Sequence, residues 1–141
     1  MTGIILAARP AAASESPAEL SAQVTWFRMQ NQEHTKCAAN HHPKVFLWGC
    51  GGYADQRWMY GNDDTLRNQE SRHCLAMHAN GHVFTHPCLG YQDQRWTDGP
   101  AAGMIKNVQR GLCLAAHGDG KIFGHQCTAG YNDQRWGFLV D

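Results

Sequence analysis

Asp55-Gln56-Arg57-Trp58 recurs in this chain as Asp93-Gln94-Arg95-Trp96 and again as Asp133-Gln134-Arg135-Trp136. The tryptophans stand 38 and 40 residues apart, and each copy follows a tyrosine: Tyr53, Tyr91 and Tyr131. A four-residue identity returning at a near-constant period marks an internal repeat in which one supersecondary unit has been copied.

The cysteines keep the same period. Cys37 and Cys50 precede the first tetrad, Cys74 and Cys88 the second, Cys113 and Cys127 the third, with gaps of 13, 14 and 14. Six cysteines at such spacings in a short chain read as a disulfide framework. Equivalent units must bond within themselves, which selects Cys37–Cys50, Cys74–Cys88 and Cys113–Cys127. Each bridge closes a loop of roughly 15 residues and removes about 3 kcal/mol of unfolded-state entropy. The alternatives are free thiols or a metal cage. The pairs are not in CxxC spacing, which argues against zinc held by cysteine.

Working outward, each unit reads as four short strands. The first is Val24-Thr25-Trp26-Phe27-Arg28-Met29-Gln30, matched by Thr65 to Gln69 and Met104 to Val108. Its β-branched and aromatic content favours strand, and each copy carries a cation: Arg28, Arg67 or Lys106. The second strand holds the first cysteine of the pair. Turn signals follow at Asn40 to Pro43, Asn80-Gly81 and Asp119-Gly120. The third strand alternates, placing Val45, Val83 and Ile122 opposite Phe46, Phe84 and Phe123. The tetrad opens the fourth strand after a Gly-rich loop. No stretch carries the apolar stripe of a helix. A single unit exposes its apolar face, and three together can close a core. The expected fold is an all-β β-trefoil: three repeats of four strands with pseudo-threefold symmetry, over about 24–62, 63–100 and 101–141. Trp58, Trp96 and Trp136 should bury together near the axis.

Composition narrows the function. At 141 residues with formal net charge zero, there is room for one domain and no basic surplus for a nucleic acid. No apolar run is long enough to span a membrane. Disulfides at this density indicate an oxidising compartment, secreted or periplasmic, and the expectation is a secreted, extracellular protein. The nine histidines, if exposed, would make the protein cationic near pH 5 to 6. Residues 1–23 stand apart. Ile4 to Ala8 followed by Ala11-Ala12-Ala13 reads as a signal remnant. Ser14 to Gln23 is Ala/Ser/Glu/Pro-rich, is not expected to pack alone, and is the segment that could lie along a partner protein.

The pattern Cys-Leu-x…Val-x-x-x-x-Cys-x-Gly…Gln-x-Trp, legible from Val24 to Asp141, resembles the ricin B-chain-like β-trefoils. Within them, the second repeat is most similar to the actinohivin-like three-repeat lectins. The resemblance implies carbohydrate binding, with one shallow pocket per repeat. In such pockets an aromatic ring stacks on the sugar while carboxylate and amide groups bond its hydroxyls. Several weak sites in one rigid domain gain by avidity, on the order of 10² to 10⁴.

The chain departs from that pattern in a regular way. The family's aspartate two residues after the first cysteine is Ala39, Ala76 and Ala115. The stacking aromatic before the second cysteine remains as Trp48 but becomes His86 and His125. The family's third-strand tyrosine is Phe46, Phe84 or Phe123, and its Asn-Gln pair is Asp55-Gln56, Asp93-Gln94 and Asp133-Gln134. Two residues beyond each alanine stands a histidine: His41, His78 or His117. Imidazole and aspartate could together bond a different sugar, or an anionic one when the ring is protonated. For each residue a plainer role competes. The glutamines and tryptophans could be core, the aspartates could cap a turn or pair with Arg57, Arg95 or Arg135, and the histidines could be solvated loop residues. His78, His82 and His86 cross a turn, so their spacing gives no metal site. No nucleophile elbow, metal motif or spaced acid–base pair is present. The expectation is therefore a non-enzymatic lectin module without cofactor or metal. The alternative is a protein-binding trefoil acting as adaptor or receptor-binding subunit of a secreted, toxin-like complex.

Overall fold

A computed structural model describes residues 25–140; the expectations for residues 1–23 lie outside them. The described residues form twelve strands: β1 Phe27–Asn31, β2 Cys37–His41, β3 Lys44–Trp48, β4 Trp58–Tyr60, β5 Leu66–Asn68, β6 Cys74–Met77, β7 Val83–His86, β8 Trp96–Asp98, β9 Ile105–Asn107, β10 Leu112–Ala116, β11 Ile122–Gln126 and β12 Trp136–Val140.

Six of these strands close a ring. β1 lies between β12 and β4, β4 pairs β5, and β8 pairs β9, all antiparallel. The remaining junctions are shorter. Thr65 bridges Arg95, the Trp96 N–H donates to the Asp64 carbonyl at 2.9 Å, and the Trp136 N–H donates to the Gly103 carbonyl at 2.9 Å. The other six strands form hairpins: β2 with β3, β6 with β7, β10 with β11. Their tips meet in cyclic order, Lys44 opposite Phe84, His82 opposite Phe123 and Lys121 opposite Phe46. A ring of six strands capped by three hairpins is the β-trefoil.

The alternation read from the third strands governs their burial. Val45, Val83 and Ile122 are buried, while Phe46, Phe84 and Phe123 are half-buried on the opposite face. The tetrad tryptophans join Phe27, Met29, Leu66, Leu75, Ile105 and Leu114 in one core cluster. Trp58 and Trp96 are 0% exposed and Trp136 2%. Each indole N–H donates to a carbonyl of its own unit's second strand, Ala38 at 3.1 Å, Leu75 at 3.0 Å and Leu114 at 3.0 Å. A buried indole needs such a partner.

Disulfides join Cys37–Cys50, Cys74–Cys88 and Cys113–Cys127, with Cα separations of 4.9, 5.0 and 5.0 Å. The Asn80-Gly81 turn requires its glycine. Gly81 has φ +88°, and a Cβ there would stand 2.6 Å from the Gly124 carbonyl oxygen of the next hairpin.

The tetrad differs from its sequence reading in one respect. Only its tryptophan starts the fourth strand; aspartate and glutamine occupy one-turn 3₁₀ helices at Ala54–Gln56, Gln92–Gln94 and Asn132–Gln134. The i→i+3 bonds of those turns, such as Gln56 N–H to the Tyr53 carbonyl at 3.1 Å, rotate the aspartate out of the strand. In the first unit β2 runs on to His41, leaving His42-Pro43 as the turn.

Candidate functional site: pockets around the hairpins

The four tetrad positions perform four tasks. Tryptophan fills the core. Gln56, Gln94 and Gln134 are fully buried, and each fastens the loop after the second cysteine. Their Oε1 atoms accept from the N–H of Gly51 at 2.8 Å, Leu89 at 3.0 Å and Thr128 at 2.8 Å. Their Nε2 atoms donate to the carbonyls of Gly49 at 2.8 Å, Pro87 at 2.8 Å and Gln126 at 2.9 Å. These glutamines lie beneath the surface and hold it in place. Arg95 and Arg135 bond carbonyls of the same loops, Gly90 at 3.0 Å and Ala129 at 2.7 Å. Asp55 and Asp133 face pockets.

Each aspartate is held by the next unit around the ring. Asn68 Nδ2 donates to the Asp55 carbonyl at 2.9 Å, Asn107 to Asp93 at 2.9 Å and Asn31 to Asp133 at 2.8 Å. All three asparagines are 0% exposed. Their Oδ1 atoms accept from the loop that follows, Glu70 and Ser71 N–H on Asn68, Glu33 and His34 N–H on Asn31. One buried amide therefore locks the aspartate turn of one unit to a loop of its neighbour.

That loop is the pocket's far wall. In the first unit a cavity of about 420 Å³ is lined by His41, Tyr53, Ala54, Asp55 and the neighbour's Glu70. In the third, about 440 Å³ is lined by His117, Tyr131, Asn132 and Asp133, with Glu33 and His34 from the first unit. Wall contacts recur in altered chemistry: Ser71 Oγ to Asn40 Oδ1 at 2.5 Å, Arg110 Nε to the Met77 carbonyl at 3.0 Å, and His34 Nε2 3.2 Å from the Ala116 carbonyl.

The three alanines at the family's aspartate position are buried and stand directly across from the phenylalanines: Ala39 from Phe46, Ala76 from Phe84, Ala115 from Phe123. Directly opposite residues share a face, so small alanine makes room for the ring. The histidine two residues on points to the same face. His41, His78 and His117 have centroids 5.1, 4.2 and 4.3 Å from Phe46, Phe84 and Phe123. An apolar Ala–Phe–His patch thus stands where the family pattern has a carboxylate.

The predicted imidazole–carboxylate pair is joined in the first unit, where His41 Nε2 lies 3.0 Å from Asp55 Oδ2. In the second and third units the histidine rests on phenylalanine instead. Trp48 is 62% exposed and edge-on to Phe46 at 6.4 Å. His86 and His125 stand edge-on to Phe84 and Phe123, and lie 6.2 and 6.1 Å from Tyr91 and Tyr131. Those tyrosines, with Tyr53, are 50 to 60% exposed. The sequence used them only as repeat markers, yet two of them line the cavities; their recurrence two residues before each aspartate was the available signal. Asn31, Asn68 and Asn107 were missed as well, although they too recur once per unit.

Electrostatics adds a further feature. Oδ1 of Asp55 and of Asp93 is buried without a hydrogen-bond partner. Between the first two units, His42 stacks on His73 at 3.7 Å and its Nδ1 lies 2.8 Å from Thr85 Oγ1. Burial of its stacked face, then the charges of His73 and His86, hold the His42 imidazole below its ordinary pKa. Among the described residues no three His, Cys, Asp or Glu side chains converge to hold a metal ion, and no helix is long and apolar enough to cross a membrane.

Residues 25–136 match the family model of the ricin-type β-trefoil lectin domain. The chain belongs to that family. Solved structures place this ricin-type trefoil among similar folds. It superposes on the hemolytic lectin CEL-III with TM-score 0.69 and 25% identity, over 79% of this chain and 29% of the other. A non-toxic homologue of type II RIPs from Momordica charantia (bitter gourd), determined with α-methyl-D-galactoside, gives 0.72 and 21%, over 83% and 49%. The designed threefold-symmetric protein ThreeFoil gives 0.70 and 16%, over 81% and 97%. The ricin-type trefoil thus spans under half of the first two proteins. No curated protein matches it in sequence.

Proposed function

We propose that this ricin-type trefoil is a secreted, non-enzymatic carbohydrate-binding module with up to three shallow sites of altered chemistry. We also infer that its strands form three pseudo-symmetric repeats over about 24–62, 63–100 and 101–141, with the actinohivin-like lectins as nearest kin. Family membership supports carbohydrate binding. The observation that carries the reading is one recurring group: an exposed tyrosine, a half-buried aspartate and a histidine lying against phenylalanine or bonded to the aspartate. Aromatic faces suit the apolar side of a pyranose, and a carboxylate accepts strongly from hydroxyls.

Tyr53, Tyr91 and Tyr131 are surface residues, so their triple replacement by alanine leaves the fold intact. The expected result on a glycan array is binding by the natural chain and a fall of about 10² or more in the variant, because avidity is lost with the individual sites. Equal binding by both proteins would remove the pockets from the account. A natural chain that binds no glycan, and co-purifies instead with another polypeptide, would establish the adaptor reading.

A further inference from the structure

Where the hairpin tips meet, the register does something the lectin pockets do not need. The residue at the head of each third strand, Lys44 as the first of β3 and His82 and Lys121 just before β7 and β11, pairs with the phenylalanine of another hairpin: Lys44 with Phe84, His82 with Phe123, Lys121 with Phe46. That cycle brings two lysines and a histidine to the rim of one cavity of about 470 Å³. Its floor is Val45, Val83 and Ile122, each at most 8% exposed. We propose that this cup binds an oxyanion, a sulfate or phosphate group.

Among the described residues neither Lys44 nor Lys121 is in an ion pair; Lys121 Nζ stands 6.0 Å from the centroid of the Phe123 ring. The Asp119 carboxylate accepts from the Lys121 backbone N–H at 3.0 Å and Asp55 is bonded to His41, and neither carboxylate is in an ion pair with a lysine. Each ammonium offers three donors and no acceptor, a set matched by a tetrahedral oxyanion with several acceptor oxygens. The apolar side chains of the floor supply no donor or acceptor that competes for the lysines. His82 stacks at 5.7 Å on Phe84 and at 5.7 Å on His78. Protonated, it adds a third charge favoured by the phenylalanine face. His41 lines both this cup and the first lectin pocket. The anion could therefore be free or carried as an ester on a sugar seated in that pocket. The proposal stands apart from the sugar reading, since an inorganic anion needs none of the tyrosines.

The test is a ¹⁵N NMR titration of the whole chain at low salt with inorganic sulfate, inorganic phosphate, galactose 6-sulfate and galactose. Saturable shifts are expected at the amides of Lys44, Val45, His82 and Lys121 for the three anions. The K44Q/K121Q double variant should weaken them at least tenfold. H82N should weaken the shifts further, because it removes the ring that stands on the rim with the two lysines. Tighter binding of galactose 6-sulfate than of inorganic sulfate assigns an ester source, and equal binding a free anion; either supports the cup. Shifts unchanged in K44Q/K121Q, or absent from the cup, overturn it. Shifts at the tyrosine pockets with neutral galactose report on the sugar reading separately, so the two can fail independently.

Discussion

Replacing Trp96 by alanine is expected to cost about 4 kcal/mol from lost burial and the cavity left behind. Stranding the Leu75 carbonyl, which the indole N–H now satisfies at 3.0 Å, adds about 1–3 kcal/mol. A domain of this size has roughly 5–15 kcal/mol in total, so the variant should be largely unfolded or unfold at very low guanidinium concentration. The comparison is Trp48→Ala. That ring is 62% exposed, and its loss should change stability by no more than about 0.5 kcal/mol. Denaturation curves for the two variants separate core tryptophan from surface tryptophan within one repeat pattern. Similar midpoints would contradict the placement of the tetrads.

Removing a bridge is the second large effect. Cys113 and Cys127 are separated by 14 positions, and their joint replacement by alanine should lower stability by about 3 kcal/mol. The three bridges lie in separate units, so their contributions should add approximately. Full reduction would then remove on the order of 9 kcal/mol, comparable to the total stability. The reduced chain should be cleaved rapidly by protease under conditions in which the oxidised chain survives. A reduced chain with an unchanged melting temperature would show that core packing alone holds the units closed.

The contrast between these effects and the pockets shows what the sequence could convey. The repeat made the trefoil and the bridges legible because cysteine, glutamine and tryptophan act inside their own unit: Gln94 fastens Leu89 and Pro87, and Trp96 bonds Leu75. The pockets are built across units. Asn31 reaches Asp133 over 102 positions, and Glu70 walls a cavity whose other residues belong to the first repeat. Such partners follow from ring closure, which a linear pattern does not display. The three histidines were equivalent by position, yet only His41 bonds its aspartate. The first hairpin turns over His42-Pro43, whereas the others turn through Asn80-Gly81 and Asp119-Gly120, where His78 and His117 settle on phenylalanine.

The claim that matters most is that the tyrosine–aspartate pockets are where sugar sits. Crystals of the natural chain soaked with the strongest ligand from the array should show a sugar ring against Tyr53, Tyr91 or Tyr131. Its hydroxyls should lie within hydrogen-bond distance of the adjoining Asp55, Asp93 or Asp133. Sugar density confined to another surface, with all three pockets empty at saturating ligand, would contradict it.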